Sequence, residues 1–105
     1  MKGRQIHKRV EAERRKRNPM PAQTRDRLMS EIQAEVLRAA RHGAQFASLH
    51  EAYAVILEEL DEVWEITRLK KRDREASKIR KELIQLGAMA VKAIESMENF
   101  VGGTV

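Results

Sequence analysis

The chain has 105 residues, of which 42% are hydrophobic and 35% charged, enough for one domain with a modest core. Aromatic residues make up 4%, and Ala, Leu, Glu, Arg and Lys prevail over β-branched types, so the expected fold class is all-α. The lack of cysteine excludes a disulfide framework, a thiolate zinc site and a cysteine nucleophile, and no apolar run approaches the ~20 residues of a membrane span. The opening MKGRQIHKRV has no apolar segment of the signal-peptide kind, so a soluble, cytoplasmic protein is expected.

Residues 1–18 hold eight Lys and Arg against Glu11 and Glu13, a net charge of +6, while residues 19–105 sum to −1. The net charge of +5 therefore belongs to an arm. Arg14, Arg15, Lys16 and Arg17 have the charge to neutralise nucleic-acid phosphates, but the arm has no aromatic residue to stack a base. A solvated tail is the plainer reading. Pro19 and Pro21 interrupt any helix that precedes them.

A single helical domain is expected over 19–100, followed by a flexible tail at 101–105. Its first helix should span about 24–42, with Leu28, Ile32, Val36, Ala39 and Ala40 on one face and Gly43 as its stop. Ser48 and Glu51 have the spacing of a capping box and open a second helix at about 49–71. Leu49, Tyr53, Ile56, Leu57, Leu60, Val63 and Trp64 form its broad apolar face, with Tyr53 and Trp64 read as core rather than base-stacking residues. A charged stretch at 68–81 contains neither glycine nor proline, so the turn within it is unmarked. Asp73 or Ser77 is the expected cap of a third helix at about 75–99, whose stripe is Ile79, Leu83, Leu86, Ala90, Ile94 and Met97, widened by Gly87 and Ala93. The second and third helices read as an antiparallel hairpin. Helices this few bury little surface alone, so a homo-oligomer that completes a helical bundle is expected.

The histidines His7, His42 and His50 have no ligand-like spacing, and no serine has a His/Asp partner pattern for nucleophilic attack. The acids carry more information. Glu58, Glu59, Asp61 and Glu62 fall within five positions of the second helix, with Glu59 and Glu62 at i,i+3 and Glu58 and Glu62 at i,i+4. Like charges at these spacings repel, and a hard divalent cation such as Mg²⁺ reverses that penalty. One helix gives part of such a site. Glu82, separated from Glu62 by nineteen residues and beside the third apolar stripe, is the candidate from the facing helix. A solvated acidic face gives the same spacing.

Glu58-Glu59-x-x-Glu62 followed by Glu82 resembles the MazG-like all-α nucleoside triphosphate pyrophosphohydrolases, whose pattern is E-E-x-x-E, a spacer, then E-x-x-D. His50-Glu51-Ala52-Tyr53 before the motif and Glu82-Leu83-Ile84-Gln85-Leu86-Gly87 after it extend the likeness over about 46–99. The resemblance implies dimers or tetramers of helical hairpins that hold Mg²⁺, with Mn²⁺ as a substitute, and cleave nucleoside triphosphates to monophosphate and pyrophosphate. Carried over by position, Glu59, Glu62 and Glu82 are the metal ligands, and Glu58 assists a second metal or the attacking water. Lys70, Lys71, Lys78 and Lys81, near the hairpin turn, are candidates to receive phosphates, although a solvated basic turn has the same composition. This chain departs from the pattern at Gln85, where the family carries aspartate. An amide oxygen can ligate but brings no charge. The alternative is a non-catalytic helical module whose arm binds nucleic acid or an acidic partner.

Overall fold

The computed structural model describes Val10 and residues 19–102, and every regular element among them is helical. Apart from Val10, the basic arm with Arg14, Arg15, Lys16 and Arg17 lies outside the described residues.

Helix α1 (Ala22–Ala39) starts directly after Pro21, two residues before the expected point. The ring-fixed φ of Pro21, −58°, suits the entry, and its carbonyl accepts the Arg25 N–H at 3.0 Å. A 3₁₀ turn, Ala40–His42, leads into Gly43 at φ +115°, a conformation that side chains disfavour.

Helix α2 (Leu49–Thr67) begins at the expected cap: extended Ser48 accepts the Glu51 N–H on Oγ at 3.1 Å. The return bond differs from a regular capping box. Glu51 Oε1 accepts the N–H of Ala47 at 3.3 Å, one residue before Ser48. The far end stops at Thr67 instead of continuing to residue 71. Arg74 explains the stop, because its guanidinium donates to the carbonyls of Thr67 at 2.7 Å and Leu69 at 3.2 Å. Carbonyls left open by a helix end thus find a donor from beyond the turn.

Helix α3 (Ala76–Glu95) follows a 3₁₀ turn at Lys71–Asp73. Extended Glu75 occupies its cap position without a side-chain bond, so neither Asp73 nor Ser77 has the capping role expected of it. A separate 3₁₀ turn, Met97–Asn99, replaces the helix's expected last residues.

The paired residues Phe46 with Ser96, Glu59 and Glu62 with Glu82, and Thr67 with Arg74 run in opposite directions along α2 and α3, the signature of an antiparallel hairpin. Helix α3 also packs against α1 and so forms the centre of the fold. The buried core is small: Phe46, Ala52, Ala88 and Met89, flanked by half-buried Ile32, Val36, Val55, Ile56 and Ala93 among others. Ala52 and Ala88, almost fully buried, let α2 and α3 approach closely.

The open end of the hairpin is fastened by polar bonds. Ser96 Oγ accepts the Phe46 N–H at 2.9 Å and donates to the Lys92 carbonyl at 2.7 Å. Asn99 Nδ2 donates to the Phe46 carbonyl at 2.9 Å and to Gln45 Oε1 at 3.1 Å. Lys92 folds its ammonium over the Phe46 ring, 4.5 Å from the centroid.

Tyr53 and Trp64, expected in the core, are 66% and 57% exposed. Leu49, Leu57 and Leu60 are exposed on the same side of α2, and Leu83, Val91 and Ile94 are exposed on α3, with Met97 in the turn that follows it. The inner edge of α2 is instead made by Ala52, Val55, Ile56, Val63 and Ile66. Each hairpin helix is apolar over more of its circumference than one chain covers. Among the described residues, no helix is long and apolar enough to cross a membrane.

Candidate metal centre

Midway along the hairpin, Glu59 and Glu62 of α2 face Glu82 of α3. One carboxylate oxygen from each lies within 4.8 Å of the other two. Glu62 is exposed, Glu59 half-buried and Glu82 8% exposed. All three helices supply the reason for this placement: Glu59 and Glu82 sit at positions of the helical repeat that otherwise hold core residues, beside Val55, Ile56 and Val63 on α2 and Ile79 and Leu86 on α3, with α1 packed behind α3.

The electrostatics are unfavourable for three free carboxylates. Glu59 Oε2 and Glu82 Oε2 are buried with no hydrogen-bond partner. Such oxygens lose water without compensation, at a cost of about 1–3 kcal/mol each. Burial above all, then the charges of Glu62, Glu35 and Glu58, holds the Glu59 carboxyl above the ordinary carboxylate range. Glu82 is raised first by hydrogen bonding with Glu62, then by burial and by the charges of Glu62 and Glu59, against a smaller opposing effect of Lys81. Two ionised carboxylates offer each other no donor, so that bond exists only while a proton lies between them. A shared proton or a cation therefore relieves the conflict. Its all-oxygen donor set, partly open to solvent through Glu62, suits a hard divalent ion such as Mg²⁺ or Mn²⁺, which keeps some waters and takes phosphate oxygens as further ligands.

The other acids expected at the site are placed differently. Glu58 is exposed and outside the three-carboxylate group, reaching Glu59 by charge alone. Gln85, one turn after Glu82, lines a cavity of about 610 Å³ between α1 and α3 together with Glu35, Arg38, Ser77, Arg80, Lys81 and Ile84. On the other flank, Glu62 and Glu82 open on a cavity of about 620 Å³ that includes Lys78. Of the four expected phosphate-binding lysines, Lys78 shares a cavity with Glu62 and Glu82, whereas Lys81 lines the α1–α3 cavity, which none of the three glutamates lines. Lys70 and Lys71 are exposed at the hairpin turn and line neither cavity.

Sequence reasoning missed α1 as a contributor. Glu35, whose charge is felt at Glu59, binds Arg38 through both carboxylate oxygens, with Arg38 Nε donating to Oε2 at 2.9 Å. Arg80 in turn pairs with Glu31. A signal for Glu35 was present in the text of the helix: Ile32, Glu35, Val36 and Ala39 share one face, so an acid stands within the apolar stripe. No family model matches the chain, and neither a curated protein nor a solved structure matches it significantly.

Proposed function

We propose that the protein is a Mg²⁺-dependent hydrolase of nucleoside triphosphates, of the MazG-like kind, that releases monophosphate and pyrophosphate in the cytoplasm. One observation carries this reading: carboxylates from two helices converge within 4.8 Å, and two of their oxygens are buried without a partner. Glu59, Glu62 and Glu82 would hold the metal, with Mn²⁺ able to replace Mg²⁺. When bound, the ion supplies charge neutralisation at the phosphates and a more acidic water. Glu59 and Glu82, fixed by burial on packed helices, set the position of the ion, while exposed Glu62 leaves the outward side open to substrate. Lys78 lines the cavity on which Glu62 and Glu82 open, where it could receive a phosphate. Glu58 faces solvent, where it can accept a proton by way of water.

The exposed apolar stripes of α2 and α3 support a homo-oligomer, dimer or tetramer, in which a second hairpin covers Tyr53, Leu60 and Trp64. Gln85 favours a second reading, a non-catalytic module that keeps the bundle and binds nucleic acid or an acidic partner through Arg14, Arg15, Lys16 and Arg17.

Calorimetric titration of Mg²⁺ and Mn²⁺ into the wild type and Glu62→Gln, followed by pyrophosphate release from a panel of ribo- and deoxyribonucleoside triphosphates, tests the proposal. Metal binding and turnover in the wild type, both lost in the variant, are expected. A wild type that binds metal without turning over any triphosphate favours the module. Binding that survives in Glu62→Gln refutes the assigned centre.

A further inference from the structure

The cavity of about 620 Å³ between the end of α2 and the start of α3 carries one sign of charge. Five carboxylates line it, Glu62, Glu65, Asp73, Glu75 and Glu82, against one cation, Lys78. Glu65 is engaged by Arg68 at 3.2 Å, while the other four acids form no ion pair among the described residues. Glu82 is 8% exposed and its Oε2 has no hydrogen-bond partner, so one wall is an uncompensated buried carboxylate. The cations of the turn do not answer this charge. Arg74 is bound to the carbonyls of Thr67 and Leu69, and Lys70, Lys71 and Arg72 line no part of the cavity.

A divalent cation held by Glu59, Glu62 and Glu82 does not answer it either, because Asp73 and Glu75 lie outside that group. The rest of the wall is apolar, Ile66 buried and Leu69 46% exposed. Scattered acids over an apolar floor suit a cation on an aliphatic stem, an arginine or lysine side chain. Its methylenes cover apolar surface while its head meets carboxylates. Residues 1–18 hold eight such side chains and a net charge of +6, joined to a body of net −1. Eighteen residues can span about 60 Å, more than the longest dimension of the structure, 48 Å. A segment tethered this closely acts at roughly millimolar effective concentration.

We propose that this cavity is the docking site of the chain's own basic arm, residues 1–18, whose guanidinium and ammonium groups sit on Glu62, Asp73, Glu75 and Glu82 with their stems over Ile66 and Leu69. The docked arm neutralises Glu62 and Glu82 in place of a divalent cation, so arm and metal exclude each other. The exclusion rests on the reading of Glu59, Glu62 and Glu82 as a metal centre, whereas the docking rests on the cavity alone.

The chain has no cysteine, so Ala12→Cys gives a single place for a nitroxide within the arm. Paramagnetic broadening of backbone amides in the isotope-labelled full chain, in EDTA at low salt, locates the arm. Amides of Leu69, Asp73, Glu75 and Lys78 should broaden more than those of Val91 and Glu95 in the last turns of α3. The broadening should be lost in Asp73→Lys/Glu75→Lys, with circular dichroism as the check of fold, and in the wild type at about 1 M NaCl, where the screening length is about 3 Å. Saturating Mg²⁺, compared with K⁺ at equal ionic strength, should also clear it. Absence of broadening at these amides, or its persistence in Asp73→Lys/Glu75→Lys, overturns the docking. Broadening in a mixture of nitroxide-bearing unlabelled chains and nitroxide-free labelled chains assigns the cavity to the arm of a second copy and overturns the same-chain contact. Broadening that Mg²⁺ leaves in place, when calorimetry shows Mg²⁺ bound, overturns the exclusion. A protein that binds no Mg²⁺ yet shows the broadening overturns the metal centre and keeps the docking.

Discussion

Replacing Glu82 by glutamine should stabilise the metal-free protein at neutral pH. In the wild type, Glu82 is 8% exposed and its Oε2 has no partner. Glutamine keeps the shape, removes one negative charge and brings an amide N–H to donate to Glu62 or Glu59. Relief of the unpaired buried oxygen is worth about 1–3 kcal/mol. At about 4–8 °C per kcal/mol for a domain of this size, the melting temperature should rise by roughly 4–24 °C. The pH dependence has a definite sign. Glu59 and Glu82 are raised in the folded state, so folding takes up protons, and the associated stability is complete below the ordinary carboxylate range of about 4.3. It is lost as pH rises through the raised values. The metal-free wild type should therefore melt higher at pH 5 than at pH 7, and Glu82→Gln should flatten that difference. Scanning calorimetry in EDTA at both pH values reads both effects. Saturating Mg²⁺ should reverse the ranking at pH 7, because a ligand at 100 times its dissociation constant adds about 2.7 kcal/mol to the wild type alone. An equal or lower melting temperature for Glu82→Gln in EDTA at pH 7 would show that the carboxylates are not in conflict, and the reasoning behind the metal centre would fail.

Ser96→Ala should cost about 1–3 kcal/mol in urea unfolding, since it strands the buried Phe46 N–H; a change below a few tenths would mean that water takes over the bond. Gly87→Ala should be tolerated and stabilise by about 0.5–1 kcal/mol through helix propensity, because the added Cβ would meet Ile32 Cδ1 at an ordinary 3.7 Å. A loss of stability there would reveal a tighter α1–α3 contact. Trp64→Glu should reduce the mass measured by light scattering toward that of one chain while far-ultraviolet circular dichroism stays unchanged; an unchanged mass locates the contact between copies elsewhere.

Helix positions were legible because apolar spacing, the Ser48 cap and Gly43 are local signals, and so was the convergence of Glu59, Glu62 and Glu82, once two helices were read as an antiparallel pair. Three features were not. The end of α2 depends on Arg74, a residue beyond the turn whose bonds to Thr67 and Leu69 have no marker in composition. The choice of buried face on α2 also escaped, because Tyr53 and Trp64 belong to a stripe as apolar as the one that packs. Periodicity finds a face but not its partner, and here α3 covers the stripe of small and branched residues, Ala52, Val55 and Ile66. Glu35 belongs to no motif, and only its place among Ile32, Val36 and Ala39 distinguishes it from Glu31.

The bonds that fasten the open end of the hairpin join residues about fifty positions apart, Phe46 to Ser96 and Gln45 to Asn99, whereas Arg74 reaches back only seven residues to Thr67. A short loop closes at a smaller entropic cost than a long one, so the hairpin should zip from Arg74 toward Ser96 during folding. The route of opening is the reverse. Amide hydrogens of residues 45–48 should exchange with solvent before those at the middle of α2 and α3, and truncating Ser96 should speed unfolding while leaving the folding rate nearly unchanged. The serine latch is thus the first part to let go, and the turn held by Arg74 is the last.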